Sequence, residues 1–494
     1  MFKKLLVANR GEIAVRIIRS CRELGIHTIA LFEASDRGSL HVRLADECVQ
    51  LPDQHGFMNA DLILSIAVER GADAIHPGYG FLAEDFNFIG AAEATGITFI
   101  GPPAAVVAST RNKIDALEKV KATGIRTVEH SAVSFGEDEF GALQTAANTL
   151  GYPLVIKSCS GGRGRGERLV NDPDRLAEAV RRSQVESQAV YGNTRLFLEQ
   201  AILPAHQVGV QIMADRYGDL VHLGDREGSV IQSNQKIVEE APSLCLTPAR
   251  RQDLLETAVR IARLFEYQNL GTVEFLVDGN GEFYFSEIKA RIQIEHTLTE
   301  MMTRIDMVRE QIRLAAGEPL GYRQEDVRLH GHAIMCRLQA EDPSRLHLPT
   351  PGRLRRVRLP GGPEIRVDTY TYCDADVSPY YEPLVAKLTV WGPDRPTSIQ
   401  RLRRALEDFT IIGVPTNLPL LLHIIRTPSF IEGGYTTDFL NQAPQPSRLP
   451  QADITRRDLA IVAAIHYARR REAFNPQVPD EWATGWHQSS RRLS

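Results

Sequence analysis

A chain of 494 residues with 43% apolar and 24% charged side chains has room for about three domains at roughly 150 residues each and needs no covalent staple for its cores. Its 57 Lys and Arg against 62 Asp and Glu leave a net charge of −5, which excludes the strongly basic footprint of a dedicated nucleic-acid binder. The cysteines, Cys21, Cys48, Cys159, Cys245, Cys336 and Cys373, form no C-x-x-C pair, so neither a zinc ribbon nor a disulfide framework is expected and a reducing compartment is.

The N-terminus has a basic start but only a short apolar run before Asn9, too little for a signal peptide, and residues 5–8 read as a first strand. Residues 12–24 carry helical spacing at Ile13, Val15, Ile17, Ile18 and Cys21; 27–32 is a second strand, 60–69 a helix and 74–76 a third strand. This alternation predicts a parallel, doubly wound layer. Only Gly11 follows the first strand, where a dinucleotide fingerprint needs three glycines, so a nicotinamide-type site is disfavoured. His76-Pro-Gly-Tyr-Gly-Phe-Leu-Ala-Glu84 is a Gly/Pro-rich loop at a strand's carboxyl end, either the lining of a ligand crevice or a plain tight turn. No stretch approaches the roughly 18 apolar residues of a membrane span. A cytoplasmic protein without membrane or nucleic-acid partners is expected.

Between Lys113 and about Ala315, hairpins interspersed with helices give an α+β texture. Strands at 153–157 and from Arg168 flank Ser160-Gly-Gly-Arg-Gly-Arg-Gly166. Glycines there let backbone N–H groups form an anion nest, and Arg163 and Arg165 add positive charge. The loop joins strand to strand and lacks a following Lys-Ser/Thr, so it is no P-loop; a basic, flexible hairpin is the plain alternative. Gly271–Val277, a turn at Asp278–Gly281 and the run from Glu282 to His296 predict a further hairpin. With Val277 opposite Glu282, Glu274 faces Phe285, and Glu287 is its diagonal neighbour at roughly 7–8 Å, close enough for two carboxylates to share a hard cation. Period-two alternation then puts Glu287, Lys289, Arg291, Gln293 and Glu295 on one face, with Ile288, Ala290, Ile292 and Ile294 on the core face. A solvated face is the ordinary reading of such alternation. Five groups able to bind a cation, hold an anion and abstract a proton favour a site.

Asp225-Arg226-Glu227 and Asn234–Pro242 follow another hairpin-like pair, where a Lys with paired acids is commonly only surface, as are Lys113 and Lys157 taken singly. Short β segments dominate from Gly331 to Trp391, and a helix is expected at 398–407. Gln442–Pro450, with three prolines, reads as a linker. Asp453 is a plausible cap for a helix to about Arg471. The remaining tail, with Trp482 and Trp486, either packs back on the body or docks another protein of a complex.

Taken in order, these segments resemble the biotin carboxylase family, the ATP-grasp component of biotin-dependent carboxylases, from about Phe2 to Leu440. The resemblance is carried by Val7-Ala-Asn-Arg-Gly-Glu-Ile-Ala14, Ile75-His-Pro-Gly-Tyr-Gly-Phe-Leu82, Lys236-Ile-Val-Glu-Glu-Ala-Pro242, Arg291-Ile-Gln-Ile-Glu-His296, Gly331-His-Ala333 with Ala340-Glu-Asp-Pro343, and Ser378-Pro-Tyr-Tyr381. It implies a mixed α/β and α+β architecture: a pre-ATP-grasp, doubly wound N-terminal domain (1–112), an ATP-grasp domain with a mobile lid (113–315), a mixed C-terminal domain (316–441), and a Pro-rich linker with helical tail (442–494).

The resemblance also implies the reaction: ATP phosphorylates bicarbonate to carboxyphosphate, and the resulting CO₂ is captured by biotin. Lys113, Lys157 and the 161–166 loop, with Gly162, Arg163 and Gly164, would hold the ATP phosphates. Glu199, Gln200, Ala201 and Ile202 would surround adenine, with Gln207 and Asn234 beside the nucleotide. Glu274 and Glu287 would bind Mg²⁺ or Mn²⁺. Lys236, Arg291, Gln293 and the Ile294 backbone would hold bicarbonate, Glu295 would deprotonate it, and Arg291, aided by Arg337, would stabilise the biotin enolate. The family's third metal ligand, an Asn, is Lys289 here, and an ammonium has no lone pair for a metal. Gln207 and Asn234 replace histidines, Gly209 and Met335 replace glutamates, and Arg163 and Glu167 replace a Gly and a Met. No biotin-attachment tripeptide occurs in the sequence, so biotin is expected on a separate biotin carboxyl carrier protein, with separate carboxyltransferase subunits. A homodimer is implied as well, with an acyl-CoA, acetyl-CoA first, as final acceptor. The alternative is a catalytically impaired homologue that scaffolds or regulates a carboxylase complex.

Overall fold

The computed structural model describes residues 1–52, 56–159, 168–345, 347–442 and 456–473. The glycine-rich loop with Gly162, Arg163 and Gly164, the linker beyond Gln442, the cap Asp453 and the two tail tryptophans lie outside the described residues.

Near-continuous apolar runs give an N-terminal sheet buried on both faces, as parallel strands require. Its five strands run in the order Glu47–Gln50, His27–Phe32, Lys4–Val7, Ala74–His76, Thr98–Phe99, all parallel. The helix Ala60–Glu69 and the strand Ala74–His76 fall on the expected residues, whereas the first strand and the helix Gly11–Glu23 each start one residue early. The strand order reverses between Lys4–Val7 and Ala74–His76, the switch point where open α/β sheets place their ligands. Loops from the two strands are tied together there, because Asn9 Nδ2 donates to Pro77 O at 2.6 Å and Tyr79 O at 2.8 Å. Gly78 and Gly80 have φ of 61° and 73°, which a side chain would oppose.

The second sheet has eight strands in the order Phe283–Lys289, Asn269–Asp278, Ala205–Ala214, Leu220–Gln232, Gln235–Ala241, His332–Gln339, Leu384–Gly392, Ile365–Thr369, every pair antiparallel. Hydrogen bonding runs without a break across residue 316, because Gln235–Ala241 pairs directly with His332–Gln339. A separate three-stranded sheet, Arg168–Val170, Leu154–Ser158, Leu196–Gln200, packs the helices Phe140–Leu150 and Leu176–Tyr191 around its own core of Leu143, Leu154, Ile156, Val180 and Leu198. The helix expected at 398–407 spans Arg395–Asp408 instead, because Asp394 accepts from the Thr397 amide and Pro396 sits in the first turn. Arg456–Ala473 is a helix in a unit of its own. Among the described residues no helix is long and apolar enough to cross a membrane.

Charge, not only apolar packing, joins the N-terminal layer to the elements that follow it. Lys387, fully buried on Leu384–Gly392, holds its Nζ 3.4 Å from Glu12 Oε1, which also accepts from the Tyr79 hydroxyl. Arg16 reaches Glu300 at 2.9 Å and Asp306 at 2.6 Å. Burial pushes the Glu12 carboxyl up to about 7 despite the nearby Lys387 ammonium. A carboxyl that binds its proton more tightly folded than unfolded loses stability as pH rises from 4.5 through about 7. Urea unfolding should therefore show the advantage of the native chain over Glu12→Gln shrinking by about 3 kcal/mol across that window. A pH-independent difference would contradict this.

Candidate active site

The two acids proposed to share a cation lie on the paired strands Asn269–Asp278 and Phe283–Lys289. Asp278 Oδ1 accepts from the Asn280 and Glu282 amides, closing a turn one residue longer than expected, so Val277 faces Phe283 rather than Glu282. Phe275 then faces Phe285, Ser286 falls out of register, and Glu274 stands directly opposite Glu287. The bulge thus brings the acids closer than the diagonal placement read from alternation alone. The regular strand also stops at Lys289. Arg291, Gln293 and Glu295 belong to an irregular segment ahead of the helix His296–Thr303, not to one strand face, and Ile294 is half-buried rather than core.

Directly opposed carboxylates repel, and the surroundings answer with ammonium groups. Lys236, on Gln235–Ala241, places Nζ 3.3 and 3.4 Å from the two oxygens of Glu274, 3.2 Å from Glu295 Oε1 and 3.7 Å from Glu239 Oε1. Room for this side chain comes from Gly228, where a Cβ would lie 2.5 Å from Lys236 Cδ. Gly209, opposite Glu274, likewise leaves space, since a Cβ there would come 3.2 Å from Glu274 Oε1. Arg337, on His332–Gln339, bridges Glu239 at 2.8 Å and Glu295 at 3.2 Å. Burial opposes charge on Glu295, but Lys236, Arg337 and Arg226 outweigh it and hold the carboxyl well below the ordinary carboxylate range. Glu239 moves the other way, raised by burial and by the Glu295 charge. Of the two acids that Arg337 bridges, Glu295 is thus the one favoured in its ionised form, a base with its partners in place.

Gln293 is fixed from both sides. Its Nε2 donates to Glu274 Oε1 at 2.7 Å, and its Oε1 accepts from Arg226 Nη2 at 2.7 Å. Arg226 is itself held by Gln211, Thr299 and Thr272. Arg291 Nε donates to Glu84 Oε2 at 3.0 Å, and the Ala290 amide reaches Glu84 Oε1 at 3.3 Å. The Gly/Pro-rich loop thus does more than turn: it carries Glu84 to the guanidinium. Three partners escaped the sequence reading: Glu84, Glu239 and Arg226. Only the loop's position at a strand's carboxyl end signalled the first, while the other two sit in segments that read as surface.

On the other side, Lys113 begins the helix Lys113–Lys121 and puts Nζ 3.5 Å from Glu287 Oε2. Lys289 Nζ lies 2.8 Å from Glu287 Oε1. Burial disfavours the Glu287 charge, yet Lys113, Lys289 and Lys157 together drive its carboxyl far below the ordinary range. Lys157 Nζ pairs with buried Glu199 at 2.7 Å across the three-stranded sheet. Gln200 ends that strand exposed, Ala201 and Ile202 are half-buried beyond it, Gln207 is half-buried on Ala205–Ala214, and Asn234 is exposed at the tip of the Leu220–Gln232/Gln235–Ala241 hairpin. A hard divalent cation needs oxygen donors, and Glu274 and Glu287 supply carboxylates from facing positions, which suits one such ion. Position 289 supplies only an ammonium. A further cluster, His206, Glu227 and Cys245, stands apart in chemistry: Glu227 is saturated by His206, Ser229, Ser243 and the Leu244 amide.

Comparison with known proteins accounts for most of the chain. The biotin carboxylase N-terminal domain matches residues 1–107, the carbamoyl-phosphate synthase L chain ATP binding domain residues 112–323, and the biotin carboxylase C-terminal domain residues 335–442. A biotin carboxylase from Nostoc sp. is 43% identical over 444 residues, covering 89% of this chain and 99% of that protein. The 2-oxoglutarate carboxylase small subunit from Hydrogenobacter thermophilus is 42% identical over 472 residues, covering 94% of this chain and 100% of that protein. The crystal structure of the biotin carboxylase domain dimer of Hydrogenobacter thermophilus 2-oxoglutarate carboxylase, in complex with MgADP, ADP and bicarbonate, superposes with a TM-score of 0.87 at 42% identity, covering 89% of this chain and 97% of that one.

Removing Lys236 leaves Glu239, Glu274 and Glu295 buried without their shared cation, and breaking a buried ion pair costs about 3–5 kcal/mol. Lys236→Met should lose that much in urea unfolding near neutrality. The acids then hold protons more tightly folded than unfolded, so the deficit should shrink on acidification. An unchanged unfolding midpoint would contradict the assigned network.

Proposed function

The chain belongs to the biotin carboxylase family, and from that premise we propose that it carboxylates biotin presented on a separate carrier protein, consuming ATP and bicarbonate as the first half-reaction of a biotin-dependent carboxylase. Members of this family are ATP-dependent ligases. The reading rests on one observation above the others: the Glu295 carboxylate lies 3.2 Å from the Lys236 ammonium and 3.2 Å from the Arg337 guanidinium, with Gln293 bonded to Glu274 on the same lysine.

In this reading bicarbonate lies among Lys236, Arg291, Gln293 and the Ile294 backbone, where planar guanidinium suits a carboxylate-like anion. Lys113, Lys157 and the loop with Gly162, Arg163 and Gly164 hold the ATP phosphates. Adenine lies against Glu199, Gln200, Ala201 and Ile202, with Gln207 and Asn234 nearby. Glu295 takes the bicarbonate proton, and the freed oxygen attacks the terminal phosphorus, forming carboxyphosphate as ADP departs. Carboxyphosphate breaks down to CO₂ and phosphate; that phosphate takes the ureido N–H proton of biotin, Arg291 and Arg337 stabilise the negative charge this leaves on the ureido oxygen, and the nitrogen attacks CO₂ to form carboxybiotin. Glu274 and Glu287 would hold the divalent cation, Mg²⁺ or Mn²⁺, which when bound neutralises phosphate charge. Phosphoryl transfer of this kind depends mainly on positioning and charge. Residues 1–112 supply Glu84, residues 113–315 the nucleotide and bicarbonate groups, and residues 316–441 Arg337.

The same reading takes the chain as a cytoplasmic homodimer that works with a biotin carboxyl carrier protein and a carboxyltransferase. Acetyl-CoA is the acceptor this reading assigns to the second half-reaction, with the keto acid of the 2-oxoglutarate carboxylase relative as its rival. The intact base group favours a working enzyme over a scaffold.

The full chain with free biotin or a biotinylated carrier should release ADP only when bicarbonate is present. Glu295→Gln and Arg291→Ala should each lower kcat by roughly 10²–10³-fold. Absence of bicarbonate-dependent turnover in the native chain would sink the proposal. Reconstitution with acetyl-CoA, pyruvate and 2-oxoglutarate carboxyltransferases should give product with acetyl-CoA; product with a keto acid alone would reassign the acceptor.

A further inference from the structure

Phosphoryl-transfer sites gather one or two divalent cations between acidic side chains and the phosphates, and each ion needs oxygen donors of its own. Glu287 is the acid on which a second ion would have to be shared, and both its oxygens already meet ammonium groups. Lys289 Nζ stands 2.8 Å from Oε1 and Lys113 Nζ 3.5 Å from Oε2. The two lysines differ in what can free the carboxylate. Lys113 starts a helix, its contact is the longer, and it is assigned to the ATP phosphates, so an arriving nucleotide draws it off Oε2. Lys289 ends the strand that carries Glu287, two residues on, and faces Thr272 across the register. Its ammonium is largely buried, with 12% of the side chain exposed, and Glu84 lies close enough to feel its charge.

We propose that Lys289 provides as a fixed ammonium the positive charge that a second divalent cation would bring, so that this active site loads a single divalent cation with its nucleotide. Glu287 and the facing Glu274, whose own oxygens Lys236 meets at 3.3 and 3.4 Å, would hold that ion. Lys289 stays within 2.8 Å of Glu287 Oε1 and keeps a fixed positive charge at that acid. An ammonium offers no lone pair, so it completes the charge of the site without completing a second coordination shell. The inference rests on the reading of the chain as a biotin carboxylase and concerns how that site is loaded.

The test counts metal directly. Mn²⁺ is titrated into the full chain with a non-hydrolysable ATP analogue and followed by electron paramagnetic resonance, so the readout is stoichiometry and spin coupling rather than turnover. The native chain should bind one Mn²⁺ per chain with no metal–metal coupling. Lys289→Asn, which restores an oxygen donor, should bind two and show dipolar broadening. Lys289→Met, which removes the charge without adding a donor, should stay at one and bind the analogue about tenfold more weakly. Two coupled Mn²⁺ in the native chain, no Mn²⁺ at all, or Lys289→Asn remaining at one would each overturn the proposal. Bicarbonate-dependent ADP release measured on the same preparation separates the two claims. Turnover with two metals sinks this inference alone, whereas absent turnover sinks the functional reading.

Discussion

The site depends on one buried ammonium. Lys236 sits within 3.7 Å of carboxylates from three segments, Glu239 on its own strand, Glu274 on another and Glu295 ahead of a helix. Three acids buried together would protonate or force the segments apart, because an uncompensated charge in the interior is costly. Lys236, with Arg337 across the sheet, makes the cluster tolerable and decides which acid keeps its charge. The absence of side chains at Gly228 and Gly209 is part of the same device, since these positions leave the space that Lys236 and Glu274 fill.

Around that centre the fold works as a set of second supports. The unbroken antiparallel sheet brings Lys236, Glu274, Glu287 and Arg337 together from strands distant in sequence. The parallel sheet contributes from its switch point, where Asn9 braces the Pro77–Tyr79 turn and the same loop delivers Glu84 to Arg291. Arg226 pins Gln293 from below. Each reacting side chain is thus held by a partner that is itself held, which is how a rigid site avoids reorganising as charge develops. The buried Glu12–Lys387 contact joins the parallel sheet to the antiparallel one, but there burial outweighs the ammonium, the reverse of the balance at Glu295.

Much of this was legible in the sequence where the signal is local. The helix Ala60–Glu69, the strand Ala74–His76 and the parallel alternation follow from periodicity, and the grouping of Glu274 with Glu287 follows from turn residues between β-rich runs. The misjudged details have physical causes. The Asp278 side chain lengthened the turn by one residue, and Ser286 then bulged and added a second, so strict alternation placed Glu274 opposite Phe285, two residues short of Glu287. Alternation of polar and apolar residues past Lys289 resembled a strand, yet its polar members bond to groups remote in sequence rather than lining one face. Glu239 and Arg226 could not be distinguished from surface charges, because only tertiary structure buries them. The helix starting at Arg395 was clipped because its cap and proline precede the apolar pattern.

The central claim is that the Lys236–Arg337 pair keeps Glu295 ionised so that it can serve as a base. Difference infrared spectroscopy of the native chain against Glu295→Gln measures this directly. The account predicts that the difference spectrum keeps an ionised carboxylate band from neutrality to below about pH 4, where ordinary glutamates are mostly protonated. A protonated carboxyl band assigned to Glu295 at neutral pH would contradict it.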